Sequence, residues 1–143
     1  MPQHESIGKW ISTIYRRSQI FINKNLDRYD LTSSQYLTLL IIQQNEGINQ
    51  ETISHELFLD KATIARSVIK CVKQGYIKRD VDPNDKRAYI LFLTQKGQKV
   101  IPSIRKVLDQ TSDIFLVGFS KQEKQQALEL LKKMYQNITE LDN

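Results

Sequence analysis

The sequence predicts a mainly α-helical chain with one small β-hairpin. Apolar residues recur at helical spacing near both ends, two β-rich runs flank a single turn, and capping residues and glycines cut the middle into short pieces. At 143 residues the chain fits one compact domain that buries a core without disulfides or metal. The expected organisation is a single domain over 1–143, with a central lobe at about 31–94 between helices at about 5–28 and 95–141.

The first helix is expected over 5–28, where Ile7, Trp10, Ile11, Ile14, Phe21 and Leu26 fall near one face and Lys9, Arg16, Arg17 and Lys24 lie between them. Thr32-Ser33-Ser34-Gln35 opens the second. Thr32 can cap the Gln35 amide while Gln35 reaches back to the Thr32 amide. That helix continues through Tyr36, Leu37, Leu39, Leu40, Ile41 and Ile42, apolar almost all round, so it should lie at the centre of the fold. Asn45-Glu46-Gly47 ends it. Asn49 can cap a short third helix from Gln50 to about Leu57, with Ile53 and Leu57 as its buried pair.

Phe58-Leu59-Asp60 makes a tight connection. Asp60 caps a fourth helix, Lys61 to Gln74, where its carboxylate also suits the positive end of the helix dipole. Gly75 is placed to leave that helix in a left-handed conformation. Tyr76–Val81 and Ala88–Leu93 read as strands around a tip at Asp82–Arg87. Thr94 caps a fifth helix to about Val117, which Pro102 is expected to kink and Gly118 to break. Ser120-Lys121-Gln122-Glu123 is a second capping box. It opens a last helix with Ala127, Leu128, Leu130, Leu131, Met134, Tyr135, Ile138 and Leu141 on its apolar side.

So much apolar helix at both ends has few partners within one subunit. Intertwining the terminal helices of two subunits in a homodimer is the economical solution, and a monomeric helical bundle is the alternative. No basic segment followed by an apolar run marks a signal peptide in Met1–Trp10, and the longest near-apolar run, Tyr36–Ile42, falls far short of a membrane span. A single cysteine, Cys71, excludes an internal disulfide and fits a reducing cytoplasm. A cytoplasmic chain without a membrane partner is expected.

The net charge of +5 is localised. Residues 61–87 hold eight Lys/Arg and three Asp (8 − 3 = +5), and the rest of the chain holds 13 basic and 13 acidic residues. Such a stretch is either a solvated basic face or the footprint of a polyanion. Its placement favours double-stranded DNA. The third helix, turn and fourth helix have the dimensions of a helix-turn-helix, whose second helix enters the major groove. With the hairpin they make a winged helix-turn-helix lobe. Ile64, Val68 and Cys71, with Ala65, Ile69 and Val72 beside them, make a broad inward face on the fourth helix. Lys61, Ala62, Thr63, Arg66, Ser67, Lys70 and Lys73 fall mostly on the remaining arc. Arg66 carries a planar fork that matches guanine O6 and N7, Thr63 and Ser67 can bond to bases or phosphates, and Lys61, Lys70 and Lys73 suit phosphates. Lys86 and Arg87 at the wing can reach a minor groove, with Asp82 or Asp85 holding the arginine extended. For any one of these residues taken singly, ordinary helix or turn surface is the competing reading.

Gly75-Tyr76-Ile77-Lys78-Arg79, then Asp82-Pro83-Asn84-Asp85-Lys86-Arg87, then Leu93-Thr94-Gln95-Lys96-Gly97 resemble the MarR family, as does Leu31-Thr32 with Gln35-Tyr36 and Leu39. The resemblance covers nearly the whole chain. Asn84 stands where members often carry arginine, and Cys71 where they usually show a core leucine. The resemblance implies a transcriptional regulator, a repressor that binds a pseudo-palindromic operator as a homodimer and is released when a small molecule or oxidant acts.

The redox-sensing branch of that family relies on a cysteine near the chain start, which is absent here, and Cys71 reads as a packed apolar residue. His4 and His55 are the only histidines and form no i, i+4 ligand pair, so neither metal nor cofactor is expected. Members often bind aromatic anions between the dimer helices and the DNA-binding lobe. Trp10, Tyr15, Arg16 and Tyr36 are of the right type for such an effector, and aromatic core with a surface arginine is the competing assignment. No nucleophile–base pair, phosphate-cradling glycine loop or paired carboxylates in an apolar setting stand out, so an enzyme is not expected. A protein-interaction module with an acidic partner remains the contrasting class.

Overall fold

The computed structural model describes residues 5–142; His4 and the start of the Met1–Trp10 stretch read above for a signal peptide lie outside them. In order the elements are α1 (Ile7–Leu26), a 3-10 turn (Asp27–Tyr29), α2 (Ser33–Gln44), β1 (Ile48–Asn49), α3 (Gln50–Leu57), α4 (Lys61–Lys73), β2 (Ile77–Asp82), β3 (Asp85–Leu93), α5 (Gln95–Phe115), α6 (Lys121–Thr139) and a 3-10 turn (Glu140–Asp142). The chain divides after Asp109 into two compact units, with α5 beginning in the first and ending in the second.

In the first unit the predicted caps set the helix ends. Asn49 Oδ1 accepts the Thr52 amide at 2.8 Å and Asp60 Oδ1 accepts the Thr63 amide at 2.6 Å. Gln35 Oε1 accepts the Thr32 amide at 2.9 Å, and Thr94 Oγ1 accepts the Gly97 amide at 3.0 Å. Helix α2 is central, as its composition requires. It packs against α1, α3, α4 and β3, and its Leu39 and Ile42 are fully buried with Ile53 of α3, Ile64, Val68 and Cys71 of α4, Leu91 of β3 and Ile104 of α5. Gly75, at φ 80°, turns the chain out of α4 toward β2.

The sheet has three strands, in the order β1-β3-β2, and all pairings are antiparallel. The third strand corrects the two-stranded expectation. Ile48 and Asn49 pair with Leu91 and Ile90, so the edge of the hairpin next to the lobe is closed by only two residues. The hairpin is also tighter than the expected six-residue tip. Asp82 pairs with Asp85, leaving Pro83 and Asn84 as the turn, and Asp82 Oδ1 accepts the Asn84 amide at 2.8 Å. Because Val81 pairs with Tyr89, the residues Lys86, Arg87 and Ala88 stand opposite no residue of β2.

In the second unit α6 opens with the predicted reciprocal box: the Glu123 amide donates to Ser120 Oγ at 3.1 Å and the Ser120 amide to Glu123 Oε1 at 2.9 Å. No residue of α6 is buried; Leu128, Leu130, Leu131, Tyr135 and Ile138 are exposed. Separately, α1 of the first unit buries only Ile22 and Leu26, leaving Ile7, Trp10, Ile11 and Ile14 exposed. Among the described residues no helix is long and apolar enough to cross a membrane.

Candidate nucleic-acid interface

Helices α3 and α4 meet through Phe58-Leu59-Asp60. Phe58 closes α3 in the left-handed region at φ 54°, and its amide donates to the His55 carbonyl at 3.4 Å. The Ser54 hydroxyl donates to the Leu59 carbonyl at 2.5 Å, which fixes the turn from inside. The Thr63 amide, donating to Asp60, holds that carboxyl below its usual range. The start of α4 is thus set by local bonds, with Lys61 and Ala62 exposed and Ile64 buried in the core.

Lys61 and Arg66 are exposed at that end, and Thr63 is half-buried. Arg66 Nη2 donates to Thr63 Oγ1 at 3.3 Å, so the guanidinium lies along the helix over its first turn. Lys61 pairs with Glu51 of α3 at 3.4 Å, with both side chains more than three-quarters exposed. A bridge that open is worth little and yields readily to a phosphate.

Ser67 is a correction. It is 3 % exposed, and its hydroxyl donates to Ser34 Oγ of α2 at 2.8 Å. Ser67 sits three residues from Ile64 and four from Cys71, the spacing that puts all three on one face, so the inner face includes it. The same rotation turns Ile69, expected inside, outward to 45 % exposure. Lys70 is engaged within the lobe: its Nζ lies 3.4 Å from Asp30 Oδ1. Asp30 and its second partner Gln74 carry no signal in the sequence, because the contact spans forty residues or more between a loop and a helix end.

On the wing, Lys86 and Arg87 are exposed. Asp85 accepts the Arg87 backbone amide at 3.0 Å, and among the described residues no ion pair joins a carboxylate to the Arg87 guanidinium. The carboxylates therefore shape the turn and do not tether the arginine. The wing adds Arg79, whose guanidinium stacks 4.8 Å from the Tyr89 ring centroid.

The four residues considered for an effector do not converge. Trp10, Tyr15 and Arg16 are exposed on α1, where Arg16 bonds to Ser12 and Thr13 of its own helix. Tyr36 is 3 % exposed in the core, its hydroxyl 3.4 Å from Gln19 Nε2, and burial pushes that hydroxyl above its ordinary pKa. Tyr36 is therefore a packing residue. His55 is exposed on α3.

The MarR family model matches residues 29–88, the lobe from the end of the 3-10 turn to the wing. The HTH-type transcriptional regulator YybA of Bacillus subtilis is 35% identical over 128 residues, covering 90% of this chain and 85% of that protein. The chain belongs to the MarR family. A MarR transcriptional regulator from Methanosarcina mazei Go1 superposes with a TM-score of 0.89 at 36% identity, covering 94% of this chain and 97% of that one. A MarR family transcriptional regulator from Listeria monocytogenes, solved in complex with a 26mer DNA, superposes with a TM-score of 0.86 at 29% identity, covering 95% and 91%. As a MarR-family chain this protein is a transcriptional regulator with a DNA-binding fold, and not an enzyme. In that family frame α4 is the second helix of the helix-turn-helix and β2–β3 is the wing.

Proposed function

We propose that the protein is a sequence-specific repressor that binds a pseudo-palindromic operator as a homodimer. The lobe at about 31–94 binds DNA, and the helices on either side of it form the dimer. The observation that carries this reading is the start of α4. A rigidly capped helix end holds Lys61 and Arg66 in solvent with Thr63 half-buried between them, within the stretch that contains the whole net charge of the chain. Arg66 reads a guanine edge in the major groove, Thr63 bonds to a base or phosphate, and Lys61 leaves Glu51 for a phosphate. Lys86 and Arg87, in the unpaired segment of the wing, enter the adjacent minor groove. The 26mer complex of the Listeria monocytogenes relative supports duplex DNA as the ligand.

The homodimer is supported by the exposed apolar faces of α1 and, separately, of α6. Faces of this kind on a water-soluble regulator require cover, and a second copy supplies an identical pair of helices. Regulation by a small aromatic or anionic effector belongs to the same reading, with Trp10, Tyr15 and Arg16 of α1 as the side chains of matching chemistry. Tyr36 is withdrawn from that set by its burial. The protein acts in the cytoplasm, where DNA is.

The test is a fluorescence-anisotropy titration against the DNA flanking the protein's own gene, at fixed near-physiological salt, with a scrambled duplex as competitor. Binding that survives the scrambled duplex is expected. Binding abolished equally by any duplex would reject sequence-specific recognition of that fragment. Sedimentation at micromolar concentration is expected to give a dimer, and a monomer there would reject the dimeric operator complex.

A further inference from the structure

Lys70 and Asp30 form a bridge at 3.4 Å with side chains 40% and 75% exposed, and what sets it apart from Lys61–Glu51 is that Asp30 is also held by Gln74. Asp30 ends the 3-10 turn in the left-handed region at φ 52°, a conformation that Asp and Asn adopt more readily than other side chains because their short polar group bonds locally. Its own amide donates to the Asp27 carbonyl at 2.8 Å. The Gln74 amide nitrogen donates to its carbonyl at 2.6 Å and to Oδ2 at 3.1 Å, leaving Oδ1 for Lys70 Nζ at 3.4 Å. The Gln74 backbone carbonyl accepts from Lys96 Nζ at 2.5 Å, while its side-chain Oε1 is buried without a hydrogen-bond partner among the described residues. The carboxylate is therefore fixed from both sides before any ligand arrives, and it stands beside the last turn of α4.

We propose that Asp30 is a positioning residue for DNA recognition: it occupies Lys70 in the place of a DNA phosphate and anchors the C-terminal end of the recognition helix through Gln74. Lys70 lies nine residues after Lys61, about 14 Å further along the helix axis. At that end a free lysine is a sequence-independent phosphate contact that strengthens binding to every duplex alike. Holding it on Asp30 removes one of the two lysines of the last turn of α4 from the phosphates, leaving Lys73 exposed there, and shifts the balance of contacts toward the start of the helix, where base edges are read. The device costs affinity and protects discrimination, since Lys61, Arg66 and the wing still act. This inference rests on the DNA-binding role proposed above.

The test is the salt dependence of binding, measured as log Kobs against log salt on operator and scrambled duplex, for the full chain and three variants. Each phosphate contact adds about 0.9 to the steepness of that plot. Lys70→Gln alone is expected to leave the slope unchanged. Asp30→Asn, which keeps a side chain suited to the left-handed site and an acceptor for Gln74, is expected to steepen it by about 0.9 per half-site on both duplexes. It should also narrow the ratio of operator to scrambled affinity. The double variant Asp30→Asn/Lys70→Gln is expected to restore the wild-type slope, which a purely structural role for Asp30 would not do. A shallower slope for Lys70→Gln alone, or equal slopes for Asp30→Asn and the double variant, overturns this inference and leaves the DNA-binding role standing. A wild-type chain that binds neither duplex overturns both.

Discussion

The Ser67 hydroxyl donates to Ser34 Oγ at 2.8 Å, joining the middle of the recognition helix to the first turn of α2. Because α2 is the central helix, this bond ties α4 to the core beside the packing of Ile64, Val68 and Cys71. It also removes from the DNA surface a hydroxyl whose residue type suits base contacts. Ser67→Ala is expected to lower stability by about 1 kcal/mol, the usual net worth of one buried neutral hydrogen bond. The ratio of operator to scrambled affinity is expected to stay at its wild-type value. Chemical denaturation and a competition titration measure the two quantities, and a lost sequence preference with unchanged stability would return Ser67 to the interface.

Arg66 carries the opposite expectation. It is exposed, and among the described residues its guanidinium donates only to Thr63, at 3.3 Å, a contact that a base can replace. Arg66→Ala is expected to weaken operator binding by about 1–3 kcal/mol and to relax the sequence preference at one position of each half-site. Stability should change little, because the side chain is exposed. Titration against single-substitution operator variants locates the position. Uniform weakening across all of them would make Arg66 a phosphate contact.

Arg87 sits in the segment of β3 that has no partner residue on β2, and its guanidinium has no ion pair among the described residues. Arg87→Ala is expected to weaken DNA binding and to make the salt slope shallower by about 0.9 for each wing that contacts DNA. The Tm should hold. A fall in Tm with intact affinity would make the arginine a structural part of the hairpin.

Gly97 is where the family signature has a steric cause. A Cβ there would stand 2.2 Å from the Tyr76 carbonyl oxygen, which also accepts the Thr94 amide at 3.0 Å. The first turn of α5 therefore rests directly on the chain leaving α4, and only glycine fits. Gly97→Ala is expected to destabilise the lobe by about 1–3 kcal/mol or more, through displaced backbone. An unchanged denaturation midpoint would mean that α5 can lift off this carbonyl at no cost.

These residues mark what was legible in the sequence. Helix starts were, because a cap acts over three residues: Asn49, Asp60, Thr94 and Ser120 each bond to the amide that their spacing indicates. The exposed end of α4 was legible for the same reason. Partners distant along the chain were not. Ile48 and Asn49 become a strand only because Leu91 and Ile90 lie alongside, and two residues carry no period of their own. The Asp30–Lys70 contact is equally silent in one dimension. Ser67 was legible and misassigned: its spacing from Ile64 and Cys71 indicated the inner face, while its hydroxyl suggested DNA. The length of the hairpin tip followed from side chains bonding to amides two residues on, at Asp82 and Asp85, which pull the turn tighter than composition alone implies.

Cys71 gives a pH dependence with a definite sign. It is fully buried on α4, and burial pushes its thiol up to about 12. In the unfolded chain a thiol ionises near its ordinary value of about 8.5. Between those values the unfolded state has released a proton that the folded state still holds, so stability falls as pH rises. Below the unfolded value both states hold the proton and the thiol adds no slope. The expected loss approaches about 1.4 kcal/mol per pH unit from this one group. Denaturation midpoints for wild type and Cys71→Ala at several pH values above 8.5 isolate it, because the variant lacks this contribution while keeping the lysines and tyrosines that titrate in the same range. The native thiol should also resist alkylation at neutral pH and react only as the lobe opens. Rapid alkylation of the folded protein would mean that Cys71 is reachable from solvent, and its place in the core under α2 would have to be abandoned.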